Sequence, residues 1–143
     1  MLSFLKSLVK EEALEAESEP SLAAAALMFE VAWADHEIDE DELERMRAGL
    51  TRLFKLEAEQ INTLLEESKS LHQQSVGLHE FTREINAEFD DAQKYMIIES
   101  LWRIALADDE VAAIEEHMIR RIADLIYVPH RLFIAAKRSA RET

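Results

Sequence analysis

The sequence contains no cysteine and only two glycines and two prolines among its 143 residues. Without cysteine, the chain has no disulfide framework, no thiolate zinc site and no cysteine nucleophile. An all-β sandwich or barrel needs turn residues every few positions, so the scarcity of Gly and Pro argues against that class. No apolar run reaches the roughly 18 residues of a membrane span, and residues 1–10 are too short for a secretory signal. We therefore expect a cytoplasmic protein.

Basic residues are also scarce, because 16 Lys and Arg stand against 30 Asp and Glu, a formal net charge of -14. Residues 11–44 contain thirteen acids and no Lys or Arg. Non-specific nucleic-acid binding depends on neutralising phosphates with basic side chains, so we expect no nucleic-acid partner. The acidic run is a solvated face, a cation site or a docking surface for a basic protein partner.

The first ten residues carry an apolar helical stripe that includes Leu2, Leu5 and Leu8. Their two lysines are too few to hold a helix on an anionic lipid surface, and the acids from residue 11 onward would be repelled by it. We therefore expect this helix to pack onto the domain, without direct membrane insertion.

Apolar residues recur at the spacing of amphipathic helices almost throughout the chain, and no stretch alternates as a strand does. This pattern predicts an all-α fold, a compact bundle of about seven helices in a single domain over residues 1–143. Residues 1–20 form an N-terminal helix and an acidic connector, and residues 21–136 form the core. The core helices are expected at 22–34, 39–54, 58–72, 78–89, 92–107, 111–126 and 129–136. The first of them is apolar on nearly every face, as a buried central helix is, and Ser21 is expected to cap it.

An internal repeat is the most informative feature of the sequence. Residues 28–38 align without gaps with residues 101–111, at an offset of 73. Each repeat, about 22–56 and 95–129, reads as an apolar helix, then Ala-Asp-x-Glu-(Ile or Val)-x-x-x-Glu, then an amphipathic helix. Two such helix pairs usually pack around a pseudo-two-fold axis, so we expect the two apolar helices to meet.

Two further expectations concern these apolar helices. Trp33 and Trp102 fall on them and are expected in the core. Glu30 and Arg103, which occupy equivalent positions in the repeat alignment, either form a buried or half-buried ion pair or are unrelated surface charges.

The repeated acidic motif supplies the candidate functional residues. The candidate metal ligands are its carboxylates in both halves: Asp35, Glu37, Glu42, Asp108, Glu110 and Glu115. Oxygen ligands suit Ca²⁺, Mg²⁺ or Mn²⁺, whereas Zn²⁺ is a weaker candidate that would draw on the nitrogen of His36. A calcium-binding EF-hand is excluded because the chain re-enters a helix too early.

A structural interpretation of the same carboxylates stays open. Negative charge is favoured at a helix N-terminus, so Glu37 or Asp39 would serve the helix that follows the loop. Glu42 and Glu115, one turn into their helices, would complete capping boxes, and Asp35 would accept backbone N–H bonds within its loop.

The doubled motif, after an apolar helix that ends in Trp-Ala or Leu-Ala, resembles the TerB-like (tellurite resistance protein B) family. The resemblance covers roughly residues 22–136. It implies an all-helical fold with an internal duplication and a link to tellurite resistance and stress responses. It also implies metal binding or sensing, association with membrane-bound protein partners, and no established enzymatic activity. The family often has Gly after the first Asp of the motif, where this chain has His36 and Asp109.

We therefore expect a non-enzymatic binding module of a tellurite or metal-stress resistance system, whose acidic loops bind a divalent cation or a basic partner. The first alternative is a protein-interaction adaptor in which the carboxylates only cap helices. The second is a metal-dependent hydrolase that uses paired carboxylates, which would need a pocket around those acids.

Overall fold

The computed structural model describes residues 19–108 and 110–142. Within these residues it contains seven α-helices, one short 3₁₀ helix and no strand, which confirms the all-α prediction. The α-helices are α1 Glu19–Ala32, α2 Glu40–Phe54, α3 Ala58–Gln73, α4 Leu78–Glu88, α5 Asp91–Ala105, α6 Ala113–Leu125 and α7 His130–Arg141, and the 3₁₀ helix is Leu106–Asp108. The helix predicted at the start of the chain and its acidic connector lie outside the described residues. No helix in the described part is long and apolar enough to cross a membrane.

Helix α1 lies at the centre of the bundle. Its side chains from Leu22 to Ala32 are buried, except for the half-buried Glu30, and it contacts α2, α3, α4, α5 and α6. The prediction of a buried central helix is therefore confirmed. The prediction that Ser21 caps it is wrong, because Ser21 lies inside α1 and is 1% exposed. Pro20 is accommodated in the first turn, where its missing N–H costs no helical hydrogen bond.

The sequence signals for helix starts are confirmed at α2. The Asp39 carboxylate accepts a hydrogen bond from the Glu42 N–H at 2.8 Å, and Glu42 Oε1 accepts one from the Asp39 N–H at 3.0 Å. Asp90 and Gln93 make the same reciprocal pair at the start of α5, with both distances 2.8 Å. Each pair satisfies backbone donors that have no partner within the helix.

The structure extends the repeat to a third helix in each half. Helices α1, α2 and α3 correspond to α5, α6 and α7, and α4 connects the halves. After the second helix the offset falls from 73 to 72, so the left-handed residue Lys55 (φ 54°) corresponds to Tyr127 (φ 65°). The buried positions of α3 and α7 then coincide: Ile61, Leu64 and Ser68 with Phe133, Ala136 and Ala140.

The two halves pack as expected, with α1 against α5. Helix α2 also packs on both of these helices, and Gly49 lies where they cross. A Cβ atom at Gly49 would lie 3.1 Å from Met28 Cε and 3.4 Å from Ser100 Cβ, so the absence of a side chain allows this close approach.

The two tryptophans differ in burial. Trp102 is fully buried, and its indole N–H donates to the Phe133 carbonyl at 3.2 Å. Trp33 is only partly buried, at the surface beyond the end of α1. The core prediction is therefore confirmed for Trp102. Trp33 packs against the edge of the core and stays partly exposed, because the chain leaves the helix before Trp33 and turns into the acidic loop.

Candidate functional site

The first acidic loop joins α1 to α2 and carries exposed carboxylates. Asp35 Oδ1 accepts a hydrogen bond from the Glu37 N–H at 3.2 Å, and both side chains are exposed. His36 has a left-handed backbone, with φ 69°, and its N–H donates to the Trp33 carbonyl at 2.7 Å. Glycine adopts this conformation without steric cost, which explains why it often stands at this position in the family that the motif resembles.

The second acidic loop follows α5 through the 3₁₀ helix. The backbone of Asp108 ends that helix, Asp109 lies outside the described residues, and Glu110 is exposed in the bend before α6. The equivalent acids of the two halves therefore follow different local structures, although their sequences align without a gap.

The last glutamate of the motif connects the two halves. Glu42 on α2 and Glu115 on α6 are each 4% exposed, and the Glu115 carboxyl group is close enough to contribute to the pKa of Glu42. Glu115 Oε1 also accepts a hydrogen bond from the Ala112 N–H at 3.3 Å. Ala112 has no side-chain acceptor, so only one half of the capping arrangement forms at α6, whereas both halves form at α2.

The environment of Glu42 disfavours its ionised form. Burial raises the pKa of Glu42 from 4.5 to about 7. The backbone hydrogen bond from Asp39 opposes this effect, while the negative charge of Asp39 and the contact with Glu115 add to it. Glu42 therefore keeps its proton at a pH where exposed glutamates have lost theirs.

Of the candidate ligands with described side chains, Glu42 and Glu115 are the pair that the fold brings into contact. Among the residues that the structure describes, no group of three or more Asp, Glu or His side chains could hold a metal ion. Asp35, Glu37 and Glu110 remain at the surface. The repeat offset relates Glu42 to Glu115 in sequence, but their contact depends on where the pseudo-symmetry axis passes.

Sequence reasoning missed a polar cluster that joins α2, α5 and α7. Burial works against the charged form of Glu99, but hydrogen bonds from Ser139 and Arg103 hold the pKa of Glu99 below its usual value. Arg52 donates to the Ser100 hydroxyl at 3.2 Å, and burial lowers the pKa of Arg52. The cluster links the three helices through charge-assisted hydrogen bonds.

The ion-pair interpretation for Glu30 and Arg103 is wrong. Arg103 pairs with Glu99 on its own helix at 3.2 Å, and Glu30 contacts His72 Nδ1 at 2.8 Å. Each side chain thus finds a partner within its own half, because the i,i+4 spacing and the contact of α1 with α3 place those groups nearer.

A family model described as Tellurite resistance protein TerB matches residues 21–138, which is most of the chain. The chain belongs to the TerB family. No curated protein and no solved structure matches it. The TerB match begins in α1, ends in α7 and contains both acidic loops, so it confirms the resemblance carried by the doubled motif. TerB membership associates the chain with tellurite resistance.

Proposed function

We propose that this TerB-family chain is a non-catalytic binding module of a tellurite or metal-stress resistance system that binds a divalent cation through its acidic motifs. The observation that carries the proposal is the contact between Glu42 and Glu115, the same motif position in both halves. Two buried carboxylates repel each other unless a proton or a cation lies between them. Because the pKa of Glu42 is about 7, a cation at neutral pH displaces a weakly held proton.

The remaining ligands of the proposal come from the two loops. Asp35 and Glu37 in the first loop, with Asp108 and Glu110 in the second, supply oxygen donors, which suit Ca²⁺, Mg²⁺ or Mn²⁺ better than Zn²⁺. The loop acids with described side chains are exposed and do not form a ready cluster with the buried pair. The proposal therefore includes a movement of the loops toward the bound ion.

The position of the acidic residues favours a binding role over the hydrolase alternative. A metal-dependent hydrolase needs an enclosed pocket that holds substrate beside the metal. Two cavities among the described residues, of about 80 and 280 Å³, are lined by residues other than the six candidate ligands. The proposal assigns no catalytic residue.

Thermal unfolding of the chelator-treated chain, titrated with Ca²⁺, Mg²⁺, Mn²⁺ and Zn²⁺ in turn, tests the cation site. An ion at 100 times its dissociation constant adds about 2.7 kcal/mol, a rise in Tm of roughly 5–10 °C for a domain of this size. We expect that rise with one of the first three ions. Glu42→Gln should abolish it, because the amide keeps the hydrogen bond to the Asp39 N–H but loses the charge.

Glu44→Gln is the matched control, since Glu44 is an exposed glutamate on the same helix that faces Arg47 at 3.7 Å. It should keep the full ion-dependent rise. An unchanged Tm with all four ions would contradict the cation proposal and leave the carboxylates with the capping role seen at α2.

A second candidate function is docking of a basic protein, and the surface charge of the first loop favours it. Asp35, Glu37, Glu40 and Asp41 are exposed, and no Lys or Arg occurs among residues 11–44. Such a one-sign surface attracts and orients an oppositely charged partner.

A further inference from the structure

An apolar groove of about 280 Å³ opens between α1, α2 and α3. Its apolar lining consists of Phe29, Trp33, Ile38, Leu43, Met46 and Leu65. Trp33, Ile38, Leu43 and Leu65 are only partly buried. A concave apolar surface with accessible aromatic rings is typical of a site that receives a side chain from a partner.

The second half of the molecule has charged groups where the first half has this groove. Glu116 stands at the position of Leu43, and Lys137 at the position of Leu65. Lys137 and Glu116 form an ion pair at 3.7 Å, and the Lys137 ammonium lies 4.9 Å from the centre of the Trp102 ring. The equivalent positions of the second half are therefore filled by an ion pair, whereas the first half presents two partly buried leucines.

Charge around the groove indicates which kind of segment fits it. Trp33 and Ile38 line the groove, and the loop between them carries the exposed acids Asp35 and Glu37. The opposite side has one acid and one base, Glu66 and Lys69. The apolar groove is thus bordered by an exposed acidic loop, which complements a segment that carries apolar and basic side chains together.

We propose that the groove binds a segment of a partner protein that inserts a large apolar side chain between Trp33 and Leu65 and places Lys or Arg against the acidic loop. This inference rests on the second candidate function, docking of a basic protein, and names the surface that gives that docking its specificity. It does not depend on the cation site.

Fluorescence anisotropy with a labelled synthetic helical peptide of Leu and Lys, arranged with one apolar face, tests the inference on the full chain. We expect saturable binding. The double variant Leu43→Glu/Leu65→Lys, which introduces the charged residues of the second half, should weaken it by about tenfold or more. The single variant Leu65→Lys should also weaken binding. Because it changes one residue and not two, it is less prone to misfold and serves as a second test.

Two controls distinguish binding in the groove from non-specific attraction of a basic peptide to an acidic protein. A peptide of equal charge in which Ser replaces Leu should bind at least about tenfold more weakly than the Leu/Lys peptide. Ile114→Lys, a change at an apolar side chain that is 51% exposed on α6, should leave binding of the Leu/Lys peptide unchanged. Equal binding of the two peptides, or equal binding by the groove variants and the unaltered chain, would overturn the inference.

Further outcomes distinguish the groove from the function on which it rests. If Asp35→Asn/Glu37→Gln weakens peptide binding and the groove variants do not, acidic docking stands and the groove assignment is wrong. If Asp35→Asn/Glu37→Gln leaves peptide binding unchanged, the proposed docking of a basic partner is wrong. Self-association of the full chain that the groove variants abolish would identify a second copy as the occupant. Peptide binding seen only in Leu5→Asp would identify the chain's own first residues as the occupant. Either of the last two results would overturn the assignment of the groove to a partner protein.

Discussion

At the scale of single residues, Glu42 shows how one carboxyl group serves two parts of the fold. Its capping contact with the Asp39 N–H follows from the three-residue spacing between them, which the sequence already contains. Its contact with Glu115 joins groups 73 positions apart and depends on the packing of the two halves. The second contact, with burial, makes this side chain unlike the exposed acids of the same motif.

The raised pKa of Glu42 predicts a pH dependence of stability. The folded chain binds a proton at Glu42 up to about pH 7, whereas the unfolded chain releases it near 4.5, so this group's contribution to stability is lost as pH rises through that interval. In chelator-treated protein, Glu42→Gln should remove this loss and raise the free energy of unfolding at pH 8 by about 1–3 kcal/mol relative to the unaltered chain. Urea unfolding between pH 4 and 8 measures the difference.

Glu44→Gln, at an exposed position on the same helix, should follow the pH profile of the unaltered chain. A profile for Glu42→Gln parallel to that of the unaltered chain would show that Glu42 ionises normally in the folded state.

At the scale of helices, the sequence predicts which segments form a helix more accurately than it predicts where each helix begins and ends. The start of α2 is predicted within one residue because Asp39 and Glu42 form a capping box. The fifth core helix is expected to reach residue 107, but α5 ends at Ala105 and a 3₁₀ turn follows, because apolar spacing does not mark the last helical turn. Helix α7 continues to Arg141, beyond the predicted end at residue 136. Arg138 and Arg141 lie in its last turn, where positive charge stabilises the negative end of the helix dipole.

The turn after α2 gives a prediction about helix termination. Lys55 has a left-handed backbone, with φ 54° and ψ 44°, which is unfavourable for a residue with a Cβ atom. Lys55→Gly should raise the free energy of unfolding by about 0.5–1 kcal/mol, measured by urea denaturation. Ala48→Gly, in the interior of the same helix, should lower it by about 1 kcal/mol. Destabilisation by Lys55→Gly would show that contacts of the Lys55 side chain stabilise the turn by more than the left-handed conformation destabilises it.

At the scale of the whole molecule, one short stretch of α2 controls the approach of the two halves. Gly49 allows α2 to lie against both α1 and α5. The atoms nearest to the position of a Cβ at Gly49 belong to Met28 on α1 and Ser100 on α5. The sequence shows the glycine inside a helical pattern but does not show that two helices cross there.

Gly49→Leu should therefore destabilise the fold by overpacking this crossing. We expect a loss of about 1–3 kcal/mol in the free energy of unfolding, because the added carbons have no space between the helices. Ala48→Leu, at the exposed neighbouring position, provides the control and should change stability by less than about 0.5 kcal/mol. Equal stability of the two variants would show that the helices separate at no cost.

By itself, the sequence determined the all-α class, the buried central helix, the capped start of α2 and the duplication, because helical periodicity and capping act over a few residues and the repeat is read by alignment. The tertiary structure decided that Glu42 meets Glu115, that Trp33 lines a groove while Trp102 is buried, and that Glu30 pairs with His72. These are contacts between segments distant in the chain. Their partners depend on how the helices pack against one another, within each half and between the halves, which local spacing does not encode.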